Sequence, residues 1–577
     1  MASARSRSLS LPLAVVALAA AAGIEAFTRR HNMAPDGMSY LDVASAYRAG
    51  DFNTAINSYW SPLFSWAIAA TVLLGGPRAA LAEPARVHAL IFGCFLFALA
   101  TVSFAIREAI RLVESRAVGD PESEPLPRRW WWITGYALFA WSSLELISLE
   151  TVNPDILVSA FVYLTFALLF RIARGDTRLI TASCLGLTLG AGYLAKAAMF
   201  PLGIVSLCVA GVLYSRHLHG SRLLRTVALS AVGFLLLAGP WIGVLSRTTG
   251  HLTFGSAAKL NYAWLADGIP ICCWQGGYNA GVPTHPPRQI VKSPAAYEFA
   301  TPIRATFPLW YDPSYWYHGV QPRVHLVHQA SLFITNLSTY LPDFGWVLAI
   351  MIVAFTVSRS GMLRLADWRY WSLFLLALAS FGLYALVYTE TRYVGGSAVA
   401  LCLVFLAGLR PADRGGAAAL RAVALALAIP AVALATFRTI ADLRFGVVNA
   451  TTGNSEEDFT SRKNVPPRQP QSIAMATALT ALAIPEGTPV AVVGYGANAY
   501  WARLAHLRIL SELQGREAFW GANDSIQQPI IDAMHRAGAQ LVVADDPPAW
   551  ADTRRWQRVG NTRAVMLDLR SPVASRR

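Results

Sequence analysis

The chain has 577 residues, of which 55% are apolar and only 14% charged, and its mean hydropathy is +0.41. Soluble proteins carry about 25% charge, so an ordinary soluble enzyme is excluded. Apolar runs of about 20 residues, enough to cross a bilayer core of about 30 Å, recur along most of the chain and predict a polytopic membrane protein.

The formal net charge of +14 does not point to nucleic acid, because the basic residues punctuate the apolar runs instead of clustering on one face. Lysine occurs only at 196, 259, 292 and 463. Four of the six cysteines (Cys94, Cys184, Cys208, Cys402) lie inside apolar runs and the other two, Cys272 and Cys273, are adjacent. No disulfide framework or CxxC metal pattern results.

In chain order, spans are predicted near 9–27, 87–106, 130–149, 154–170, 179–196, 199–215, 226–246, 334–357, 370–388, 394–409 and 417–437. The fold class is therefore an α-helical polytopic membrane protein of about eleven spans. The segment 59–76, with its polar start and Pro62, is read as an interfacial or re-entrant helix. Counting it as a span would reverse every later loop. With it on the outer surface, arginines such as Arg107, Arg111, Arg171, Arg174, Arg216, Arg359 and Arg410 fall on the cytoplasmic side, as the positive-inside rule requires. The short outer turns then hold only Lys196 and Arg392. The expected location is the inner (plasma) membrane, multi-pass, with a cytoplasmic N-terminus. Its MASARSRS start and short apolar run fit a signal peptide equally; retention as an anchor is the preferred reading, and either leaves the next loop outside.

Residues 1–437 are thus the membrane domain, with long outer loops at 28–86 and 247–333. A linker covers 438–471, and 472–577 form a small extracytoplasmic α/β domain. Its strands are predicted at 489–494, 507–513, 539–545 and 563–569 and a helix at 526–537. Gly494, Gly496 and Ala499 follow the first strand as G-x-G-x-x-A, with Glu512 beyond. This matches a dinucleotide fingerprint on paper, but the intervening helix is short and the domain lies outside, so a tight strand-to-helix turn is the better account.

Carboxylates at a membrane boundary are costly unless paired or wet, so they are candidate functional groups. Asp36 and Asp42 follow the first span in PDGMSYLDVASAY. Six residues apart, they do not share a helical face, whereas Tyr40 shares that of Asp36. Asp36 could alternatively serve as a helix N-cap. Glu145 and Asp155 flank the outer ends of the third and fourth spans; Asp155, in a first turn, also suits the helix dipole. Lys196 and Arg392 stand on the outer side against the charge bias, beside Tyr393, and together could hold an anionic headgroup. The loop 247–333 reads as a rigid aromatic lid, with Lys259, His285, Arg288, Glu298, Arg304 and Asp312 as its polar candidates.

These residues resemble the GT-C glycosyltransferases, especially the bacterial branch of protein O-mannosyltransferases and the aminoarabinose lipid A transferase. The likeness rests on D-G-x-S-Y after the first span, S-P-L-F-S-W in the interfacial segment, N-P-D at the fourth span, A-K-A near the fifth and T-R-Y near the ninth. It implies transfer of a sugar from a polyprenyl phosphate to a lipid, glycan or protein acceptor on the outer face. Asp36 would be the catalytic carboxylate. Relatives carry a lysine before the proline of the interfacial helix where this chain has Ser61, so phosphate binding passes to Lys196, Arg392 and Lys259. Tyr40, Asp42, Glu145, Asp155, His285 and Tyr393 are expected to support the site or bind the acceptor. No cofactor or metal is expected, although some relatives use a divalent ion. The alternatives are a transporter or lipid flippase, or a non-catalytic subunit of envelope assembly; the inverted repeats common in transporters are not seen.

Overall fold

The computed structural model describes residues 2–73, 82–117, 125–269, 285, 287–299, 304–315, 320–359, 363–365, 368–452 and 469–570. Cys272, Cys273 and residues 453–468 of the predicted linker lie outside the described residues.

The chain opens with α1 (Ala2–Thr28), and three short helices follow: α2 (Pro35–Arg48), α3 (Phe52–Ala55) and α4 (Pro62–Leu73). The bundle continues through α5 (Glu83–Ala117), α6 (Arg128–Ala140), α7 (Asp155–Ala173), α8 (Leu179–Ala195), α9 (Met199–Tyr214) and α10 (Gly220–Thr249). A loop region then carries α11 (Ala257–Asn261), the hairpin β1 (Arg288–Val291) and β2 (Ala296–Glu298), and α12 (Pro308–Tyr311). The bundle resumes with α13 (Leu326–Ser338), α14 (Leu341–Arg359), β3 (Leu363–Leu365), α15 (Trp368–Ala385), α16 (Thr391–Gly408), β4 (Leu409–Pro411) and α17 (Arg414–Thr452). The C-terminal part comprises α18 (Gln469–Ala481), β5 (Pro489–Val493), α19 (Tyr500–Leu504), β6 (Arg508–Leu513), α20 (Arg516–Trp520), α21 (Asp524–Arg536), β7 (Leu541–Ala544), β8 (Gln557–Arg558) and β9 (Val565–Asp568).

A helix underlies every predicted span. Among the described residues seven are long and apolar enough to cross a membrane, and α8, α9 and α15 are shorter apolar helices. Among the described residues α4 covers 12 residues, Pro62–Leu73, about 18 Å at 1.5 Å per residue. Several helices outrun their predicted spans, α5 among them, ending at Ala117 where 106 is predicted, and three differences have a local cause. The segment 334–357 breaks at Thr339 and Tyr340 because Pro342, which has no N–H to donate, starts a new helix. The third span leaves α geometry at Trp141 for a π-helical turn to Ile147, closed by Ser148 at φ 65°. Finally, α17 runs past 437 to Thr452, because Arg438 and Asp442 are buried in ion pairs and keep the helix packed.

Those pairs form a polar knot between α1, α17 and the loop before α7. Arg438 Nη2 lies 2.7 Å from Glu150 Oε2 and 3.6 Å from Glu25 Oε1. Arg29 Nε lies 2.9 Å from Asp442 Oδ1. Ser148 and the Leu149 N–H donate to Glu25 Oε1. At the opposite end of the bundle, buried Glu108 ties Arg111 to Arg174 across α5 and α7.

The four predicted C-terminal strands fall at β5, β6, β7 and β9, and the two-residue β8 is an addition. The sheet, however, has seven strands in the order β1-β2-β6-β5-β7-β9-β8, with β5 parallel to β6 and β7. Its first two strands come from the loop between α11 and α12: β2 pairs antiparallel with β6, Ala296 opposite Leu513. The long loop is therefore built into the C-terminal sheet, and the same edge continues in Phe299 N–H to Leu510 O (2.7 Å) and Ile509 N–H to Thr306 O (2.9 Å).

Helices α8 and α10 pack closely at two glycines four apart, Gly186 against Ser230 and Gly233 and Gly190 against Phe234 and Leu237, the spacing that lets membrane helices approach closely. A Cβ on Gly186 would stand 2.1 Å from the Ser230 carbonyl oxygen. Gly186→Ala should lower stability by about 1–3 kcal/mol, the cost of overpacking. Thermal unfolding in detergent tests this, and an unchanged midpoint would show that the two helices can separate freely.

Candidate active site

Four helix ends meet at one end of the bundle and bring two carboxylates and two cations into contact. Asp36 lies in the first turn of α2, after Pro35. Ala34 is the N-cap and makes no side-chain cap bond, so Asp36 is not the cap and its carboxylate is turned to other partners. Trp310 Nε1–H donates to Asp36 Oδ1 at 3.2 Å, and Arg392 Nη2 lies 3.4 Å from Oδ2. The Asp36 side chain is 29% exposed, which leaves it an open edge.

Asp155 begins α7, and the Asn153 side chain accepts its backbone N–H at 2.9 Å. That is what N-P-D does locally. The Asp155 carboxylate is 2% exposed; Lys196 Nζ lies 2.6 Å from Oδ1 and Arg392 Nη1 3.3 Å from Oδ2. Lys196 is where α8 stops, its backbone extended at φ −156° and ψ 127°. Its ammonium sits 3.8 Å from the centre of the Tyr393 ring, a cation–π contact. Burial draws the Lys196 amine below its ordinary value, opposed by the Asp155 carboxylate. Arg392, in the first turn of α16, thus touches both carboxylates, while Tyr393 stacks against Tyr384 with centroids 4.9 Å apart.

Of the residues predicted from sequence, Asp36, Asp155, Lys196, Arg392 and Tyr393 are brought together. Tyr40 is buried beneath them against Trp60 and Phe64, and its hydroxyl is held well above its ordinary value, first by burial and then by Asp36 and Asp155. Asp42 faces away: it accepts from Thr306 N–H and Oγ1 and from Arg503 Nη1, as its six-residue offset from Asp36 requires. Glu145 lies half-buried in the π-helical turn. Lys259 is exposed on α11 and, among the described residues, makes no ion pair. His285 bonds Ser314 at 2.8 Å and stacks on Tyr315. Arg288 pairs with Glu298 across the β1–β2 hairpin at 2.8 Å, Arg304 is exposed, and Asp312 caps the Ser314 N–H. These five loop residues take structural or solvent-facing positions.

Sequence reasoning missed Trp310. Its only signal was the aromatic density of FPLWYDPSYWY, which does not single out one ring. The segment that carries it is pinned on both sides. Asn57 and Trp60 donate to the Tyr311 carbonyl, each at 2.9 Å, and the Tyr311 hydroxyl donates to Thr54 O.

The glycine motif of the C-terminal sheet is filled by the chain itself. Gly496 N–H donates to Glu512 Oε2 at 3.0 Å, so a carboxylate occupies the position a phosphate would need. A Cβ on Gly496 would stand 2.6 Å from the Phe307 ring. The glycine is there to let that ring approach.

No protein-family model and no curated protein matches the sequence. Among solved structures, the chain is similar to ArnT from Cupriavidus metallidurans bound to undecaprenyl phosphate, with a TM-score of 0.55 and 14% identity over 98% of this chain and 99% of that one. The apo state of ArnT aligns at a TM-score of 0.50, again at 14% identity, over 99% and 100% of the two chains. The archaeal oligosaccharyltransferase AglB from Archaeoglobus fulgidus, in complex with an inhibitory peptide and a dolichol-phosphate, aligns at 0.43 and 11% identity over 93% and 70%. At these identities the likeness to ArnT is one of fold. The chain is a polytopic membrane protein with the GT-C fold and a small sheet-containing C-terminal region.

Glu512 supplies a pH test of the motif's assignment. Burial pushes its carboxyl from near 4.5 up to about 7, against bonds from Gln514 and Gly496 N–H. The folded protein therefore keeps a proton that the unfolded chain releases, and stability falls as pH rises between about 4.5 and 7, by roughly 3 kcal/mol in all. Glu512→Gln should remove that component, so its melting temperature should gain on the wild type between pH 5 and pH 8. Parallel melting curves for the two proteins would contradict it.

Proposed function

We propose that the chain is a glycosyltransferase that moves a sugar from a polyprenyl-phosphate donor to an acceptor on the extracytoplasmic face of the inner (plasma) membrane, with inversion. The observation that carries this is the Asp36–Arg392–Asp155–Lys196 cluster: one partly open carboxylate beside two cations, at the ends of membrane helices. ArnT is described bound to undecaprenyl phosphate, and a lipid phosphate of that class suits the two cations here. Asp36 takes the proton of the acceptor hydroxyl or amine as that atom attacks the anomeric carbon. The bond from that carbon to the phosphate oxygen breaks, and polyprenyl phosphate leaves as an anion.

General-base assistance of this kind contributes about 10²–10⁴-fold. The leaving phosphate needs no acid, only donors placed where charge develops. Lys196 and Arg392 are such donors, held in position by Asp155 before the donor arrives. Trp310 orients the Asp36 carboxylate through Oδ1. The Tyr393 ring lies against the Lys196 ammonium at 3.8 Å. We assign no step to a metal: Asp36 and Asp155 both face the Arg392 guanidinium, so the oxygen ligands a divalent ion would take already share a cation.

In proteoliposomes with a labelled donor, Asp36→Asn should cut release of free polyprenyl phosphate by about 10²–10⁴-fold while donor binding persists; near-normal turnover would discard the base assignment. Lys196→Ala should instead weaken donor binding by tenfold or more, since a charge-assisted hydrogen bond is worth about 1.5–3 kcal/mol. A chelator should leave turnover unchanged, and a reversible loss would return a metal to the mechanism. A wild-type protein that releases no polyprenyl phosphate from any donor would favour the transporter or assembly reading.

A further inference from the structure

Helix α2 is gripped at two places on different faces. Its first turn carries Asp36. Six residues on, about 9 Å along the axis and roughly a third of a turn around it, Asp42 and Ser45 face α19 of the C-terminal region. There Arg503, 10% exposed, spends its guanidinium on three partners. Nη1 lies 2.5 Å from Asp42 Oδ1, Nη2 lies 3.0 Å from Ser45 Oγ and 2.7 Å from Glu83 Oε2, and Nε lies 2.9 Å from Glu83 Oε1. Tyr500 of the same short helix reaches Glu83 at 3.3 Å. Glu83 opens α5, so one arginine fastens the C-terminal region to two helices of the bundle.

A second connection runs parallel to the first. Thr306 gives both its N–H and its hydroxyl to Asp42, at 2.9 and 3.0 Å, while its carbonyl accepts from Ile509 at the edge of β6. Four residues later the same segment presents Trp310 to Asp36. The carboxylate of Asp36 and the other, Asp42-bearing face of α2 are therefore both referenced to the C-terminal sheet.

We infer that Arg503 is a positioning residue for Asp36: it locks α2 against the C-terminal sheet so that the Asp36 carboxylate stays in register with Arg392 and Trp310. The inference rests on the assignment of Asp36 as the base. Without the guanidinium, Asp42 (8% exposed) and Glu83 (21% exposed) lose the cation they share, a buried carboxylate is left without its ionic partner, and the tie that holds α2 and α5 to α19 is gone. A displacement of about 1 Å remote from the chemistry costs about 10²-fold in rate.

The test uses full-length protein in proteoliposomes. Arg503→Gln should lower kcat by about 10²-fold with the donor KM changed less than about twofold, because Lys196 and Arg392 are untouched, and Arg503→Lys should recover part of the loss. A variant that melts earlier but keeps its kcat would make Arg503 merely structural, and a loss confined to KM would equally overturn the inference. Should Arg503→Gln fail to fold, Thr306→Val removes one Asp42 contact and should still lower kcat severalfold at constant donor KM; an unchanged kcat overturns the inference. Hydrogen exchange keeps the two proposals apart. If the wild type turns over no donor, the Asp36 assignment fails, yet faster exchange at 36–41 and 306–310 in Arg503→Gln would still support the lock. Unchanged exchange at those amides would overturn it.

Discussion

Everything at the site depends on one buried carboxylate. Asp155 takes Lys196 on one oxygen and Arg392 on the other, and these three residues come from three helix ends. A buried cation with no partner is expensive; here each has one, and the cluster as a whole carries no net charge. The helix dipoles favour Asp155 at the start of α7 and Lys196 at the end of α8 but oppose Arg392 at the start of α16. Arg392 is held there by the two carboxylates it bridges, which makes it the link between the structural pair and the partly open Asp36.

The bundle supplies these ends through ordinary local chemistry. Asn153 accepts the first N–H of α7, α8 stops in extended backbone at Lys196, and Pro35 starts α2. The knot around Arg438 holds Ser148 and Glu150, and with them the loop that leads into Asp155. Two polar networks, around Arg503 and around Arg438, thus hold α2 and the loop into α7. The aromatic segment adds Trp310 to the site.

Much of this was legible before the structure. Apolar runs located the spans because membrane crossing imposes a length, and the charge bias set Lys196 and Arg392 apart because they violate it. The strands of the C-terminal sheet were visible as short β-branched runs. Pairing across long sequence separations was not visible. Asp155 looked like a helix-dipole residue because its partners lie 41 and 237 positions away. Asp42 looked like a site residue because it is near Asp36 in sequence, although helix geometry turned it toward Arg503. The β1–β2 hairpin lay in a stretch read as a lid, since a strand that completes a distant sheet carries no local mark of its destination. The Thr339 break was hidden inside one continuous apolar run, where only Pro342 hinted at it.

The central claim is that the two cations bound to Asp155 receive a lipid phosphate while Asp36 faces the bond to be made. The most direct measurement is an experimental structure of the wild-type protein with a polyprenyl phosphate bound. The account predicts the phosphate within hydrogen-bond distance of Lys196 Nζ and the Arg392 guanidinium, with the Asp36 carboxylate beside it and still bonded to Trp310. A phosphate seated elsewhere, with the four-residue cluster undisturbed, would contradict it.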